Sequence, residues 1–215
     1  LPVKAILFDI YQTLIRGRPI PRTERPNAMA LVAEQFGINA PLELNQAFEN
    51  AINDSHRTSP HPHPEVDVRE IWQSILPELT DPSGFAAAIE DAVHPTEPIP
   101  EAAKLILTLH QLGIPLGFVS NAQAYTRALL GRHLGEAANC FEPELMIFSY
   151  DYRRAKPDPH LFNLAIRPLM QKGVAAHDIL MVGDSPSNDI APASSLGLQT
   201  HLVSTGSLTL PTGIL

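Results

Sequence analysis

The sequence predicts an α/β protein in which a doubly wound parallel sheet carries a small helical domain inserted after its first strand. Over the C-terminal half of the chain, short apolar runs that end in polar residues alternate with amphipathic helical patterns, as in right-handed βαβ units. The stretch between the first and second apolar runs is helical in pattern. Two proline-dense joints, residues 16–26 and 94–100, bound that stretch. Together these features predict one core with one insertion.

The first strand is predicted at residues 5–8 (AILF), a continuous apolar run that stops at Asp9 and is typical of a strand buried on both faces. The proline- and arginine-rich residues 16–26 are expected to form a linker. Alternating prolines exclude helix and central strand over residues 59–65, because proline lacks an N–H and biases its neighbour towards extended backbone. Helical spacing predicts four helices in the insertion, at residues 27–36, 42–52, 68–76 and 85–93.

After residues 94–100, apolar runs typical of strands alternate with the amphipathic spacing of helices. Apolar runs predict strands at residues 115–119, 145–148, 179–182 and 200–203. Amphipathic spacing predicts helices at residues 101–112, 124–134, 159–171 and 190–196. Residues 1–15 and 97–215 are therefore expected to form the α/β core, and residues 16–96 a helical cap. Aromatic residues at helical positions are expected to form the core of that cap, namely Phe48, Trp72 and Phe85.

Composition narrows the class of partner. The 215 residues include 15 Lys+Arg and 23 Asp+Glu, giving a net charge of −8 without a dense basic run, which argues against nucleic acid. A single cysteine, Cys140, allows neither an internal disulfide nor a thiolate metal site. No stretch reaches the roughly 18 apolar residues of a membrane span, and the first residues lack a signal-peptide pattern. We expect a cytoplasmic protein with a small-molecule substrate; the oligomeric state stays open.

Polar residues follow several of the predicted strands. In a doubly wound sheet, ligands bind beyond the carboxyl ends of the strands, and Mg²⁺ prefers oxygen ligands, commonly one or two carboxylates with phosphate and water. Lys156 lies in the loop before a core helix, where its charge would offset that of a phosphorylated substrate. The residues expected at this edge are Asp9, Tyr11, Thr13, Ser120, Asn121, Asp184, Ser185, Asn188 and Asp189.

Four short motifs occur in a fixed order along the chain. These are FDIYQTL at residues 8–14, VSN at 119–121, KPD at 156–158 and VGDSxxND at 182–189. Their order and spacing resemble the motifs of the haloacid dehalogenase-like (HAD) superfamily, and the helical insertion after the first motif resembles that family's cap. The resemblance implies a Rossmann-like core and a hydrolase.

The resemblance also implies roles for individual residues. Asp9 matches the nucleophile, which forms a covalent aspartyl intermediate. Thr13 and Ser120 match positions that hydrogen-bond the transferring group, with Asn121 beside them. Lys156 matches the lysine that steadies nucleophile and substrate.

A magnesium site is implied by the same comparison. Asp184 matches the Mg²⁺ ligand of the phosphatase members, and Asp189 matches the second acidic position of that loop. In metal-dependent members the carbonyl two residues after the nucleophile also binds the ion, so Asp9 and the backbone of Tyr11 complete the expected set.

Tyr11 departs from the phosphatase pattern. Phosphatases of the family usually carry a second Asp there, which acts as general acid and then as general base. A tyrosine with a reference pKa near 10 is a poor acid and no base at neutral pH. The D-x-Y-x-T form instead resembles L-2-haloacid dehalogenases, which need no metal but usually have Gly at the position of Gln12 and a serine-rich loop at the position of Asp184.

Tyr11 and the acidic loop that carries Asp184 and Asp189 favour different functions. Two acids in one tight loop beside Asp9 would have strongly raised pKa values without a cation, which favours a Mg²⁺-dependent phosphatase of small phosphorylated metabolites. Slow turnover of poor leaving groups is then expected, with better turnover of activated aryl or acyl phosphates. There are two alternatives. One is a dehalogenase, whose substrate carboxylate would need a cationic clamp from Arg16, Arg18, Arg22 or Arg25. The other is a binding or regulatory relative with little turnover.

Overall fold

A computed structural model of the chain describes residues 2–39, 43–204, 208 and 210. The strands are β1 (Ala5–Phe8), β2 (Ile15–Gly17), β3 (Thr96–Pro98), β4 (Leu116–Ser120), β5 (Met146–Phe148), β6 (Ile179–Gly183) and β7 (Gln199–Leu202). The helices are α1 (Arg25–Gln35), α2 (Leu44–Thr58), α3 (Val68–Ile75), α4 (Pro82–Val93), α5 (Ala102–Gln111), α6 (Thr126–Leu134), α7 (Ser149–Tyr152), α8 (Pro159–Gln171) and α9 (Ala191–Ser195).

The central sheet has five parallel strands in the order β5-β4-β1-β6-β7. Phe8 of β1 pairs with Phe118 of β4 on one side and with Val182 of β6 on the other. Because all of these strands run in the same direction, their carboxyl ends share one edge. Asp9, directly after β1, is thereby placed between the ends of β4 and β6, and the predicted doubly wound α/β class is confirmed.

Each face of the sheet has its own apolar core. Ile6 and Phe8 point into a core built with α5 and α6, whereas Ala5 and Leu7 point into a core built with α8 and α9. Strand side chains alternate between faces, and all four residues of β1 are fully buried. The continuous apolar run in the sequence therefore reflects a strand covered on both sides.

Helices α1 to α4, called the helical layer below, have a third core of their own. At its centre the rings of Phe48 and Trp72 stack with centroids 4.3 Å apart, and Phe85 meets Trp72 edge to face at 5.1 Å. The aromatic core predicted for this region is confirmed. Among the described residues, no helix has the length and apolar character needed to cross a bilayer.

The structure adds two short strands to residues 16–26 and 94–100, which were expected as a linker and a proline-dense joint. β2 and β3 pair antiparallel, with Ile15 opposite Pro98 and Gly17 opposite Thr96. Two strands that belong to no larger sheet have free edges, and a free edge tolerates a proline without an N–H. The chain therefore enters and leaves the helical layer through a paired ribbon rather than two independent linkers.

Smaller differences concern element ends. α2 continues to Thr58, six residues past its predicted end, and its predicted start at residue 42 lies outside the described residues. A π-helical turn over Pro186–Ile190 precedes α9. The exclusion of helix and central strand over residues 59–65 is confirmed, since α2 stops at Thr58, bends follow at residues 60–63, and Pro64 forms an isolated bridge with Arg154.

Candidate active site

Asp9 is buried at the carboxyl end of β1 and is held through one of its oxygens. Ser120 Oγ, at the end of β4, donates to Asp9 Oδ1 over 2.9 Å, and Lys156 Nζ donates to the same oxygen over 2.6 Å. No described residue donates a hydrogen bond to Oδ2 of Asp9. This arrangement fixes the carboxylate while leaving one oxygen available to a ligand.

Lys156 lies between two carboxylates. Its Nζ is 2.6 Å from Asp9 Oδ1 and 2.5 Å from Asp189 Oδ1, and the side chain is 3% exposed. Burial alone would lower the pKa of Lys156, but the charges of Asp9 and Asp189 outweigh burial and raise it. The ammonium is therefore charged at neutral pH.

The backbone of Lys156 is held by Asn121. The Asn121 side chain accepts a hydrogen bond from Lys156 N (2.6 Å) and donates one to Lys156 O (3.2 Å). Because both amide atoms of Asn121 bond the lysine, contact of this amide with substrate stays a prediction, and its observed partner is the loop that carries the lysine.

Asp189 is fixed by the turn that follows β6. Its Oδ2 accepts from Ser185 N over 3.0 Å, and its carboxylate packs against the α-carbon of Gly183 so closely that a Cβ there would collide with it. Burial is the main cause that raises the pKa of Asp189. The glycine of the VGD motif thus allows the loop to bring Asp189 against the sheet edge. Asn188, expected at this edge, donates its backbone N–H to Ser185 Oγ.

Three carboxylates converge here, from Asp9, Asp184 and Asp189, with one oxygen of each within 4.8 Å of the others. Within the described part of the chain, Asp184 forms no ion pair, and its pKa is raised by burial and then by the charges of Asp9 and Asp189. One ammonium faces three acids. The donor set, all oxygen, fits a hard divalent cation such as Mg²⁺, whose charge would offset the excess.

The segment after Asp9 contains Tyr11, the residue that departs from the phosphatase pattern. Tyr11 Oη and Thr126 Oγ1 form a hydrogen bond of 3.0 Å, and burial raises the pKa of Tyr11 in spite of that bond. Tyr11 therefore stays protonated at neutral pH. Gln12 has a left-handed backbone (φ +63°), a conformation that glycine adopts at lower cost.

Thr13 is almost completely buried, and its Oγ1 has no hydrogen-bond partner among the described residues. A buried hydroxyl without a partner is uncommon and costs about 1–3 kcal/mol. An oxygen of a bound ligand would supply the partner that this hydroxyl lacks.

A contact between the core and the helical layer was not predicted. Glu65 Oε2 accepts from Ser149 Oγ (2.7 Å), and Gln123 Nε2 donates to Val66 O (2.9 Å). Gln123 follows the VSN motif by two residues, yet neither its spacing nor its type distinguishes it from other polar loop residues. A cavity of about 300 Å³ lies beside this contact, lined by Tyr11 and Asn121 from the core and by residues of the helical layer.

The four arginines considered as a carboxylate clamp divide into two pairs. Arg16 and Arg18 both bond Glu97 on the ribbon, at 2.8 and 2.7 Å. Arg22 and Arg25 instead line a cavity inside the helical layer. Arg16 and Arg18 therefore do not form around Asp9 the clamp that a dehalogenase would need.

Comparison with known proteins adds an independent observation. A family model described as haloacid dehalogenase-like hydrolase matches residues 3–197. The glyceraldehyde 3-phosphate phosphatase of Methanopyrus kandleri is 28% identical over 212 residues, which cover 95% of this chain and 85% of the relative.

Two solved structures share the fold. One is a HAD phosphatase from Thermococcus onnurineus, with a TM-score of 0.62 and 24% identity, over 94% of this chain and 86% of that one. The other is a HAD family enzyme from Bacteroides thetaiotaomicron in complex with magnesium and inorganic phosphate, with a TM-score of 0.61 and 16% identity, over 95% and 96% of the two chains.

Proposed function

The chain belongs to the haloacid dehalogenase-like hydrolases, and from this we propose that it is a Mg²⁺-dependent phosphatase that hydrolyses small phosphate monoesters through an aspartyl-phosphate on Asp9. Residues 1–15 and 97–215 form its catalytic core in this proposal, and residues 16–96 form a cap that covers the substrate. The relative named as a glyceraldehyde 3-phosphate phosphatase supports a phosphorylated metabolite as substrate.

The observation that carries the proposal is the charge of the cluster. Asp9, Asp184 and Asp189 bring three carboxylate oxygens within 4.8 Å of one another, with only Lys156 paired to them in the described structure. A dehalogenase would have to bind a carboxylate substrate beside this excess of negative charge. A phosphatase resolves the conflict with a divalent ion.

The residues suited to hold the ion are Asp9, Asp184, the carbonyl of Tyr11 and Asp189, although both oxygens of Asp189 already bond protein groups. When bound, Mg²⁺ would neutralise the phosphoryl oxygens and orient them for in-line attack.

Side chains of the protein have the other catalytic roles in this proposal. Ser120 and Lys156 hold Oδ1 of Asp9, so Oδ2 attacks phosphorus as the bond to the leaving oxygen breaks. The Thr13 hydroxyl and the Lys156 ammonium stabilise the transferring oxygens. Water then attacks phosphorus, releases inorganic phosphate and restores Asp9.

Phosphate release from a panel of phosphomonoesters tests this function. We expect activity with Mg²⁺, loss of activity with excess chelator, and recovery when Mg²⁺ is restored, because the acidic cluster needs the cation. Halide release from 2-haloacids that is indifferent to chelator would instead establish the dehalogenase alternative. Absence of both activities across the panel would favour the regulatory alternative.

Tyr11→Asp should raise turnover of alkyl phosphates about 10- to 100-fold, because it supplies the carboxyl acid–base that the protonated tyrosine lacks. The gain should be small for aryl phosphates, whose leaving groups need little protonation. Steady-state kcat for matched alkyl and aryl esters measures both effects. Tyr11→Phe is the control, since it removes the hydroxyl without adding a carboxylate. Equal cleavage of alkyl and aryl esters by the unmodified protein would contradict this account.

A further inference from the structure

The helical layer contains a cavity that the proposed catalytic steps do not use. It is a cavity of about 400 Å³ between α1, α2, α3 and α4, with Tyr125 of the core at its border. That volume is within the range of small-molecule sites. Exposed side chains, among them Glu49 and Asn53, also line the cavity, so it opens to solvent and a ligand can enter it.

Part of the cavity lining is apolar and aromatic. It includes Phe48 and Trp72, whose rings stack 11° from parallel, together with Met29, Ile52 and Ile89. Such a surface fits a planar ring, which would contact the aromatic pair face to face or edge to face.

The lining of the cavity also carries two cations, Arg22 and Arg25. Neither guanidinium has a carboxylate within 4 Å among the described residues, and Arg25 Nε is buried without a hydrogen-bond partner. The two acids on the same lining already have partners: Glu49 accepts from Asn45 (3.2 Å), and Glu90 bonds His94 (3.0 Å). The unmatched group is therefore a donor with positive charge.

The cavity adjoins the catalytic edge. Glu90 and Tyr125 line both this cavity and the smaller one that Tyr11 and Asn121 border. The two cavities are therefore adjacent, and the leaving group of a substrate with its phosphate at Asp9 would have to pass Tyr125 to enter the helical layer. Tyr11 independently favours leaving groups that depart without a proton donor, as phenolates do.

We propose that the cavity between α1 and α4 receives the leaving group of the substrate, and that this group is an aromatic ring bearing a carboxylate bound by Arg25, with Arg22 beside it. The substrate class is then an aryl phosphate with an anionic substituent. This inference rests on the proposed phosphatase function and adds the identity of the leaving group to it.

Paired substrates test the recognition. 4-Carboxyphenyl phosphate and phenyl phosphate differ in the carboxylate alone, and we expect a KM at least tenfold lower for the first. Arg25→Gln should raise that KM about tenfold and should raise the KM for phenyl phosphate much less, because phenyl phosphate lacks the carboxylate. Arg25→Lys, which keeps the charge and lacks the planar fork, should give an intermediate KM. Arg167→Gln, an exposed arginine of α8, is the matched control and should change neither.

A binding measurement separates this inference from the catalytic one. Trp72 is the chain's sole tryptophan, so its fluorescence reports occupancy of the cavity without phosphate chemistry. Benzoate should cause a saturable change, with Kd raised about tenfold by Arg25→Gln. That response without phosphatase activity would reject the proposed function and support the binding site. Phosphatase activity with equal KM for both esters and no response to benzoate would overturn the inference and leave the function standing.

Discussion

Asp9→Asn is expected to lower kcat for phosphate release by roughly 10⁴-fold or more, the scale on which an enzyme loses activity with its nucleophile. The amide is nearly isosteric with the carboxylate but cannot form the aspartyl-phosphate. The Ser120 and Lys156 contacts fall on one oxygen of Asp9, and an amide oxygen can accept both hydrogen bonds. Phosphate release with saturating Mg²⁺, alongside a thermal melt to confirm folding, is the measurement.

The control for this change is Asp91→Asn. Asp91 is an exposed acid that pairs with Arg132 at 2.8 Å and is not one of the three acids of the cluster, and its replacement should leave kcat within twofold. If Asp9→Asn retained more than a tenth of the original turnover while folded, covalent catalysis by Asp9 would be wrong.

Lys156→Met is expected to lower both stability and activity. It removes the ammonium buried between Asp9 and Asp189, so three carboxylates are left crowded without a positive partner. Removing one partner of a buried ion pair commonly lowers the free energy of unfolding by about 3–5 kcal/mol. We expect that loss in the free energy of unfolding measured in urea with chelator present, and a fall in kcat of roughly 10²- to 10³-fold from the lost transition-state charge.

The pH dependence of this loss has a definite sign. The pKa values of Asp184 and Asp189 are already raised, and the charge of Lys156 opposes that rise. Without Lys156 both pKa values should lie further above their unfolded values, so the folded variant binds more protons than the unfolded chain. Its stability deficit should therefore shrink as pH falls and grow as pH rises through the raised pKa values. Added Mg²⁺ should stabilise the variant more than the unmodified protein, because the ion supplies the missing positive charge.

Lys172→Met is the matched control. Lys172 also bridges two acids, Glu142 and Glu144, but it is half exposed at the surface, where ion pairs contribute about 0–1 kcal/mol. Its replacement should shift stability by less than about 1 kcal/mol with no pH-dependent recovery. An equal loss in both variants would show that the Lys156 contacts contribute no more than a surface pair.

Several features of the fold could be predicted from local pattern. The strand at residues 5–8 and helix α8 match their predicted bounds, because a continuous apolar run and a 3.6-residue period each record burial directly. The carboxyl-end rule for parallel sheets predicted that Asp9, Ser120 and Asp184 share one edge, and the structure places all three there. Lys156 was expected at the same edge from its place in the loop before a core helix, and the structure places it beside Asp9.

Other features could not be predicted in the same way. The β2–β3 ribbon has three residues per strand, too few for a period to show, and the proline at its edge concealed it. The cavity in the helical layer was equally hidden, since Phe48 and Trp72 have the same spacing whether they fill a core or line a space within it.

The sequence by itself determined the α/β class, the order of the elements and the chemical types gathered at the sheet edge. Tertiary structure decided how those groups meet: that Lys156 bridges Asp9 and Asp189, and that Asn121 bonds the lysine backbone. It also decided that Arg25 lines a cavity with no ion-pair partner among the described residues. The physical reason is the separation along the sequence over which each interaction acts. Periodicity and motifs act over a few neighbouring residues, whereas Asp9 and Lys156 are 147 positions apart, and strand register and packing alone set their distance.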